Sequence, residues 1–138
     1  MSTVLPIAAP ATATATPIPD LTQAVNAARS ASNCSALQAN SLAEKVAQMA
    51  TQNTVDYEAH RVSAVPFTDP MPALKTIGYT GSKAALFAGF GSTEADSIRG
   101  ALIQGRDNIS DCSLTQYGVS SALDDAGNTV TSVVMSVP

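Results

Sequence analysis

The sequence predicts an α+β domain, an α-β-α sandwich in which helices cover both faces of a small antiparallel sheet. Two observations support this prediction. Four segments between residues 20 and 104 combine helical spacing of apolar residues with capping or turn residues at their ends. The last part of the chain then alternates larger apolar residues with small ones in two runs that a polar turn separates, which is typical of a hairpin.

Composition bounds the class of protein. The chain has 138 residues, of which 45% are hydrophobic, enough for one domain with a core. Aromatic residues make up 4% and Trp is absent, so the core must consist of Ala, Val, Leu, Ile and Met. Only 13% of residues are charged, against about 25% in an average domain, which indicates a surface rich in uncharged polar residues, as in many extracellular proteins.

Charge and hydropathy exclude two kinds of partner. The net charge is −4 and the sequence contains no run of Lys or Arg, so nucleic-acid binding is not expected. No apolar stretch approaches the roughly 18 residues that span a bilayer, so we expect no transmembrane segment.

The N-terminus also lacks the basic region and apolar run of a signal peptide. If the protein is secreted, we interpret this chain as its mature form.

Residues 2–19, with the sequence STVLPIAAPATATATPIP, are rich in Ala, Thr and Pro and carry no charge. Four prolines in this stretch disfavour a packed helix. We therefore divide the chain into an extended leader at 1–19 and a domain at 20–138. The leader is interpreted as a spacer between the domain and a cell surface or cleavage site; an O-glycosylated stalk is the alternative.

The first two helices are predicted from their capping residues. Asp20 can cap the first helix, with Gln23 three residues later, and Ser41 with Glu44 forms a capping box for the second. We expect these helices to be amphipathic. The residues expected on their buried faces are Leu21, Ala24, Val25 and Ala28 in the first helix and Leu42, Val46 and Met49 in the second.

A third, short helix is predicted for 69–76, with Asp69 as its cap, and a fourth for about 93–104. Strands are predicted at 86–90, 117–123 and 129–137. Asp124 to Asn128 supplies the turn between the last two strands, because Asp, Gly and Asn favour tight turns. Val133, Met135 and Val137 are expected to share one face of the return strand, since side chains alternate along a strand.

Cys34 and Cys112 leave three interpretations open: a disulfide, two buried thiols or one reactive thiol. Metal binding through them is not expected, because the sequence has no CxxC pair and its one histidine, His60, is distant in sequence. Motifs for other chemistry are also missing. The segment GFGST lacks the spacing of a hydrolase nucleophile elbow, and GYTGSK lacks that of a phosphate-binding loop.

Four segments in order resemble one known family. They are LTQAVNAARSASNC, SLAEKVAQMATQN, GYTGSKAALFAGFGSTEAD and GRDNISDCSLTQYGV. Together they are similar to the domain of cysteine-rich secretory proteins, antigen 5 and pathogenesis-related proteins (the CAP family), in its actinobacterial form. The resemblance covers about residues 20–137. It implies the α-β-α sandwich, a secreted or cell-wall-associated protein, and a disulfide between Cys34 and Cys112.

The metal-site residues of that family do not carry over. Tyr57 stands where the family has a histidine after its second helix, and His60 lies three residues further on. Ala84 stands where the family has a glutamate, and Gly105 where it has a second histidine. A transition-metal site needs three or four converging ligands. We therefore expect a degenerate site with no metal and no other cofactor.

The resemblance leaves room for a remnant of the family's groove. Arg106 and Asn108 match its histidine-containing motif apart from the histidine. We expect the groove to be lined by Tyr57, His60, Tyr79, Ala84, Arg106 and Asn108.

The resulting hypothesis is a secreted, non-catalytic and monomeric domain that binds a lipid, a sterol or a protein partner at the cell surface. The alternatives are a hydrolase that uses His60 as its base and a purely structural or antigenic envelope protein.

Overall fold

Five helices and four strands follow one another along residues 17–138, the part of the chain that the structure, a computed structural model, describes. Side chains are described from residue 20 onward. In chain order the elements are α1 (Pro17–Ala31), β1 (Gln38–Ala39), α2 (Ser41–Glu58), α3 (Met71–Thr76), β2 (Ala84–Gly91), α4 (Glu94–Gln104), α5 (Arg106–Ile109), β3 (Gln116–Leu123) and β4 (Thr129–Ser136).

The four strands form one sheet in the order β1-β3-β4-β2. The last strand in sequence, β4, pairs antiparallel with both β2 and β3, so that Val133 lies between Phe87 and Val119. Only two residues of β1 pair, in parallel, with β3. All eight residues of β4 are buried, which makes this strand the centre of the molecule.

Helices cover both faces of the sheet, as predicted for an α-β-α sandwich. Odd-numbered strand residues such as Phe87 and Val133 pack with α1, α4 and α5, whereas even-numbered ones such as Leu86 and Val134 pack with α2 and α3. The division follows from the strand period of two residues, which sends successive side chains to opposite faces. The expected shared face of Val133, Met135 and Val137 is confirmed.

Each helical layer is joined to β4 by a buried pair of hydroxyl groups. Thr51 of α2 donates a hydrogen bond of 2.9 Å to Ser132, and Ser97 of α4 lies 3.0 Å from the hydroxyl of Thr131. Ser132 and Thr131 are neighbours in β4 and face opposite layers. Because a buried hydroxyl without a partner destabilises the fold by about 1–3 kcal/mol, these pairs also fix the position of each helix along the strand.

The structure corrects the capping residue of α2 and the first residue of α1. The side chain of Asn40, not Ser41, caps α2 by accepting from the N–H of Ala43. The described helix α1 begins at Pro17, before the predicted cap Asp20, since proline is compatible with a first helical turn. For α4 the predicted start is confirmed, with Thr93 as its cap. The rest of the predicted leader, residues 1–16, lies outside the described residues.

One core prediction is wrong and two elements were missed. Met49 is 44% exposed instead of lining the buried side of α2, because the layer beneath that helix is already filled by smaller residues such as Ala47 and Ala50. The missed elements are β1, which has only two paired residues, and the four-residue helix α5. Both are too short to show a period.

The disulfide that the family resemblance implies is present between Cys34 and Cys112, which are 78 residues apart in sequence. It joins the segment after α1 to the segment between α5 and β3. Arg29, 1% exposed, bridges the same two segments. Its guanidinium group donates hydrogen bonds to the carbonyl oxygens of Ser35 (2.9 Å), Ile109 (3.0 Å) and Asp111 (3.0 Å).

An ion pair lies beside this bridge. Lys83, just before β2, donates to the carboxylate of Asp111 at 2.6 Å. The backbone N–H and the hydroxyl of Ser113 donate to the other carboxylate oxygen at 3.0 and 2.7 Å. These contacts favour the ionised form, so Lys83 first and Ser113 second hold the pKa of Asp111 well below its usual range.

Packing between α2 and β3 depends on Gly118. A Cβ atom added there would collide with the backbone of Ala43 and Glu44 in α2. We predict that Gly118→Ala lowers the free energy of unfolding by about 1–3 kcal/mol, as overpacking does. Chemical denaturation measures this. The matched control is Gly100→Ala in α4, where the nearest atom would be 3.6 Å away and the helix should gain stability; equal effects of the two variants would contradict the prediction.

We predict that replacing both cysteines by serine lowers the free energy of unfolding by about 4–5 kcal/mol, because the bond closes a long loop in the unfolded chain. Urea denaturation measures the loss. A reductant should shift the unfolding midpoint of the wild-type chain and leave that of the double variant unchanged. A loss below about 1 kcal/mol would show that the Arg29 bridge alone holds the two segments.

The contribution of the Lys83–Asp111 ion pair can be tested by comparing the stability of Asp111→Asn with that of the wild type as a function of pH. Since the folded pKa lies below the unfolded one, the carboxylate stabilises fully above about pH 4, and the contribution disappears as the pH falls toward the folded pKa. At pH 7 we expect the variant to be less stable by about 0.5–1 kcal/mol, with a gap that closes below about pH 4. The control is Asp107→Asn, since Asp107 has no ion pair among the described residues. A gap independent of pH would contradict this explanation.

Candidate functional site

The structure distributes the predicted groove residues over separate parts of the molecule. Tyr57 and His60 lie together at the C-terminal end of α2. Arg106 borders a different depression, of about 190 Å³, between α1 and α5, and Asn108 belongs to α5. Tyr79 and Ala84, the first residue of β2, do lie in one apolar cluster, which is on the α2–α3 side of the sheet.

The α2-end groove has a volume of about 560 Å³ and is open to solvent. It forms because α2 ends at Glu58 and the chain turns at His60, whose φ of 61° is in the left-handed region. The lining residues are Tyr57, Glu58, His60, Arg61, Val62 and Ser63.

Electrostatics in this groove are dominated by a bridging arginine. Arg61 donates to Asp56 at 2.9 Å and to Asp125 in the β3–β4 turn at 2.8 Å. The hydrogen bond from Arg61 lowers the pKa of Asp56, with a smaller effect from Gln52. Both pairs are solvent-exposed, and their geometric effect is to tie the end of α2 to the hairpin. The guanidinium is therefore engaged within the protein.

The chemistry needed for hydrolysis is not assembled around His60. A hydrolytic base must reach a nucleophile and be oriented by a third group. Within residues 20–138, the imidazole of His60 forms no hydrogen bond with another side chain, and it is exposed to solvent. What this groove offers is an open surface of mixed polarity with one imidazole, His60, and one phenol, Tyr57.

Tyr79 has a structural position. It is 7% exposed, and its hydroxyl lies 2.7 Å from the carbonyl oxygen of Val137 and 3.0 Å from that of Lys83. Those two carbonyls flank the place where β2 and β4 begin to pair. The phenol thus satisfies backbone acceptors at the start of the sheet and lies away from solvent.

The residues that the sequence resemblance matches to the family's metal ligands carry no metal-binding side chain. Tyr57, Ala84 and Gly105 provide no imidazole, thiolate or carboxylate. At Gly105 an added Cβ would collide with the ring of Phe87, so an aromatic ring fills the space beside this backbone. Across residues 17–138 there is no group of three or more His, Cys, Asp or Glu side chains that could hold an ion.

A second concavity lies where α2, the segment 66–68, β2 and the end of α4 meet. We call it the β2 notch; its volume is about 250 Å³. It is bordered by the second helix and by β2, and by Gln104, which directly precedes the Gly105-Arg106 pair. Its lining residues are Ala50, Thr54, Pro66, Phe67, Thr68, Leu86, Phe87, Ala88, Gln104 and Ser132.

None of these ten described lining residues is charged. The polar group of most interest is the amide of Gln104, whose Oε1 accepts from the backbone N–H of Ala88 at 2.6 Å. None of the residues that sequence reasoning placed in a groove lines this notch, and it missed Phe67 and Gln104. The only signal for Gln104 is its position directly before the Gly-Arg pair of the family-like motif, which says nothing about the direction of its side chain.

Searches by sequence find no relatives. No protein-family profile matches the chain, and no curated protein matches it. Among the described residues, none of the helices has the length and apolar character that crossing a membrane requires.

Comparison with solved structures does find likenesses. An outer surface protein from Borrelia burgdorferi is 13% identical with a TM-score of 0.70, over 88% of this chain and 92% of that chain. A cysteine-rich secretory protein from Staphylococcus aureus subsp. aureus Mu50 is 19% identical with a TM-score of 0.67, over 94% of this chain and 40% of that chain. At these identities the likeness is one of fold, and the chain therefore has a CAP-like fold, as the sequence resemblance predicts.

Proposed function

We propose that this chain is a secreted or cell-wall-associated, non-catalytic binding domain whose ligand occupies the β2 notch. One observation carries the proposal. Between α2, β2 and the end of α4 lies a concave, uncharged surface with Phe67 and Leu86 in its wall. The positions that the resemblance matches to the family's metal ligands carry Tyr57, Ala84 and Gly105 instead. A mostly apolar concavity with a few polar groups is the usual form of a binding site.

Secretion and surface location are supported from two directions. The two similar solved structures named above are an outer surface protein and a cysteine-rich secretory protein. The Cys34–Cys112 disulfide fits an oxidising compartment, because disulfides persist mainly outside the cytosol. We extend the proposal to an actinobacterial type of CAP-like domain with a degenerate metal site, acting as a monomer.

Size decides between the ligand classes. Pockets that enclose whole small molecules have volumes of about 300–1,000 Å³, and the notch, with about 250 Å³, is smaller. It has room for a side chain or the end of an acyl chain, but a whole sterol would remain largely exposed. A protein partner that inserts one side chain is therefore favoured, and a lipid chain is the second candidate.

Catalysis is not part of the proposal. The β2 notch contains no histidine, cysteine or carboxylate among its described lining residues. In the α2-end groove, His60 lacks both a hydrogen-bonded nucleophile and an orienting partner among the described side chains. Binding requires neither of these groups, only shape and desolvation.

We predict that Thr68→Trp blocks the notch and weakens ligand binding at least tenfold. Thr68 is an exposed lining residue, so the indole can cover the opening without entering the core. The probes are peptides selected from a displayed random library on the immobilised chain, and a fluorescent fatty acid; titration by fluorescence anisotropy gives the Kd. The matched control is Thr80→Trp, an exposed threonine outside the notch.

Peptide binding that Thr68→Trp weakens and Thr80→Trp leaves unchanged supports a protein partner, and the same pattern for the fatty acid supports the lipid candidate. Equal binding by both variants would place the site elsewhere and overturn the proposal. Failure of the wild-type chain to bind either probe would overturn it in favour of a structural envelope protein. Both variants should keep the melting temperature of the wild type.

A further inference from the structure

The strand β2 is an edge strand. In the sheet order β1-β3-β4-β2 it pairs on one side with β4, and no described strand lies on its other side. It spans eight residues, Ala84–Gly91, which exceeds the usual strand length of about five or six. A full-length edge of this kind presents a row of backbone donors and acceptors.

The hydrogen-bonding phase determines which residues face outward. The N–H of Val137 donates to the carbonyl of Lys83 at 3.0 Å, at the start of the β2–β4 pairing. In an antiparallel pair, the residues that exchange bonds alternate with residues that do not. The odd residues of β2 therefore bond to β4. The even residues direct their N–H and C=O groups outward, and they are Ala84, Leu86, Ala88 and Phe90.

Gln104 independently confirms this phase. Its Oε1 accepts the N–H of Ala88, an even residue, from the side opposite β4. Within residues 20–138, no other side chain or backbone group forms a hydrogen bond with the outward N–H groups of Ala84, Leu86 and Phe90. The exposed side chain of Gln104 thus engages one of the four outward donors, and the other three have no hydrogen-bond partner among the described residues.

The usual protection of an edge strand is missing from β2. Natural edges carry charged residues, especially lysine, or proline, or are kept short. The sequence of β2, AALFAGFG, has no charge and no proline, and Phe90 is 51% exposed. An unprotected edge that is not covered is a liability for aggregation, which favours the interpretation that it has an occupant.

The β2 notch lies directly beside this edge, mostly on the α2 side, with Gln104 of α4 also in its wall. Its lining includes the even residues Leu86 and Ala88 together with Phe67 and Thr54. In a strand added next to β2, alternate side chains would point to the α2 side. One of them would enter the notch, while the backbone of the same strand would meet the outward N–H and C=O groups.

We infer that the protein binds an extended, uncharged segment of a partner protein by strand addition to β2, with one side chain of that segment in the β2 notch and Gln104 displaced from Ala88. The inference rests on the proposed function and names its partner class. Donors and acceptors repeat along the edge at every second residue, about 7 Å, which is complementary to another extended backbone. An acyl chain has no group to meet them.

Hydrogen exchange tests the inference, because strand addition leaves an alternating pattern. The probe is an acetylated, amidated octapeptide with the sequence of β4, TVTSVVMS, which already complements β2 on its other edge. On the ¹⁵N-labelled chain, saturating peptide should slow amide exchange at least tenfold at Leu86 and Phe90. Exchange at Phe87 and Gly89, already bonded to β4, should not change.

Two variants separate strand addition from binding in the notch alone. Gln104→Ala removes the group that competes for the N–H of Ala88, so the peptide should bind several-fold more tightly. Phe90→Lys places a charge on the edge and should weaken peptide binding at least tenfold. The matched controls are two peptides, one with N-methyl groups at its odd residues and one with N-methyl groups at its even residues. Only one of the two loses the N–H groups that face β2, and that peptide alone should fail to bind.

Slowed exchange at the even residues, with tighter binding by Gln104→Ala, supports the inference. Binding that Thr68→Trp weakens without any slowed exchange at Leu86 or Phe90 would overturn strand addition and leave the proposed function standing. If exchange is slowed without peptide and the effect depends on protein concentration, a second copy of the chain occupies the edge. That result would overturn the inference that a segment of a partner protein binds there. Absence of peptide binding with intact fatty-acid binding would overturn it in favour of a lipid.

Discussion

The fold depends on one strand that is buried from both sides. Every residue of β4 is buried, and its two neighbours bond to its two edges. A strand in this position has no solvent-exposed face to carry polar residues, yet β4 contains Thr131 and Ser132 at adjacent positions. Their hydroxyl groups pair with Ser97 on one side and Thr51 on the other. The buried hydroxyl groups of Thr131 and Ser132 therefore fix the positions of the two helical layers relative to β4.

This central position also explains why the candidate site is at the margin of the sheet. Since β4 occupies the middle, β2 must be an edge, and the last turn of α4 reaches that edge through Gln104. Phe87 points to the opposite layer and fills the space beside Gly105. The ring stabilises the α4 layer by burial, and it also occupies the region in which the family resemblance implies a metal ligand.

Much of this architecture could be predicted from the sequence because it depends on local signals. The hairpin from 117 to 137 combines alternation with the turn at 124–128, and Thr93 marks the start of α4. The elements that could not be predicted depend on tertiary contacts. The two residues of β1 form a strand because β3 lies beside them, and Met49 is exposed because the alanines of α2 already fill the interface. The candidate site was predicted less well, for a related physical reason. The family resemblance placed Tyr57, Arg106 and the others in one groove, but they lie on different elements and border different depressions.

The sequence has no pattern that predicts the exposed backbone of β2, because backbone groups are the same at every position. Which backbone groups form hydrogen bonds depends on the register between β2 and β4. The hydrogen bond from the N–H of Val137 to the carbonyl of Lys83 establishes that register. The Arg29 bridge and the disulfide hold the segments around α5 in place. Among the described residues, the outer edge of β2 is bonded only through Gln104, which leaves its other outward backbone groups without a hydrogen-bond partner.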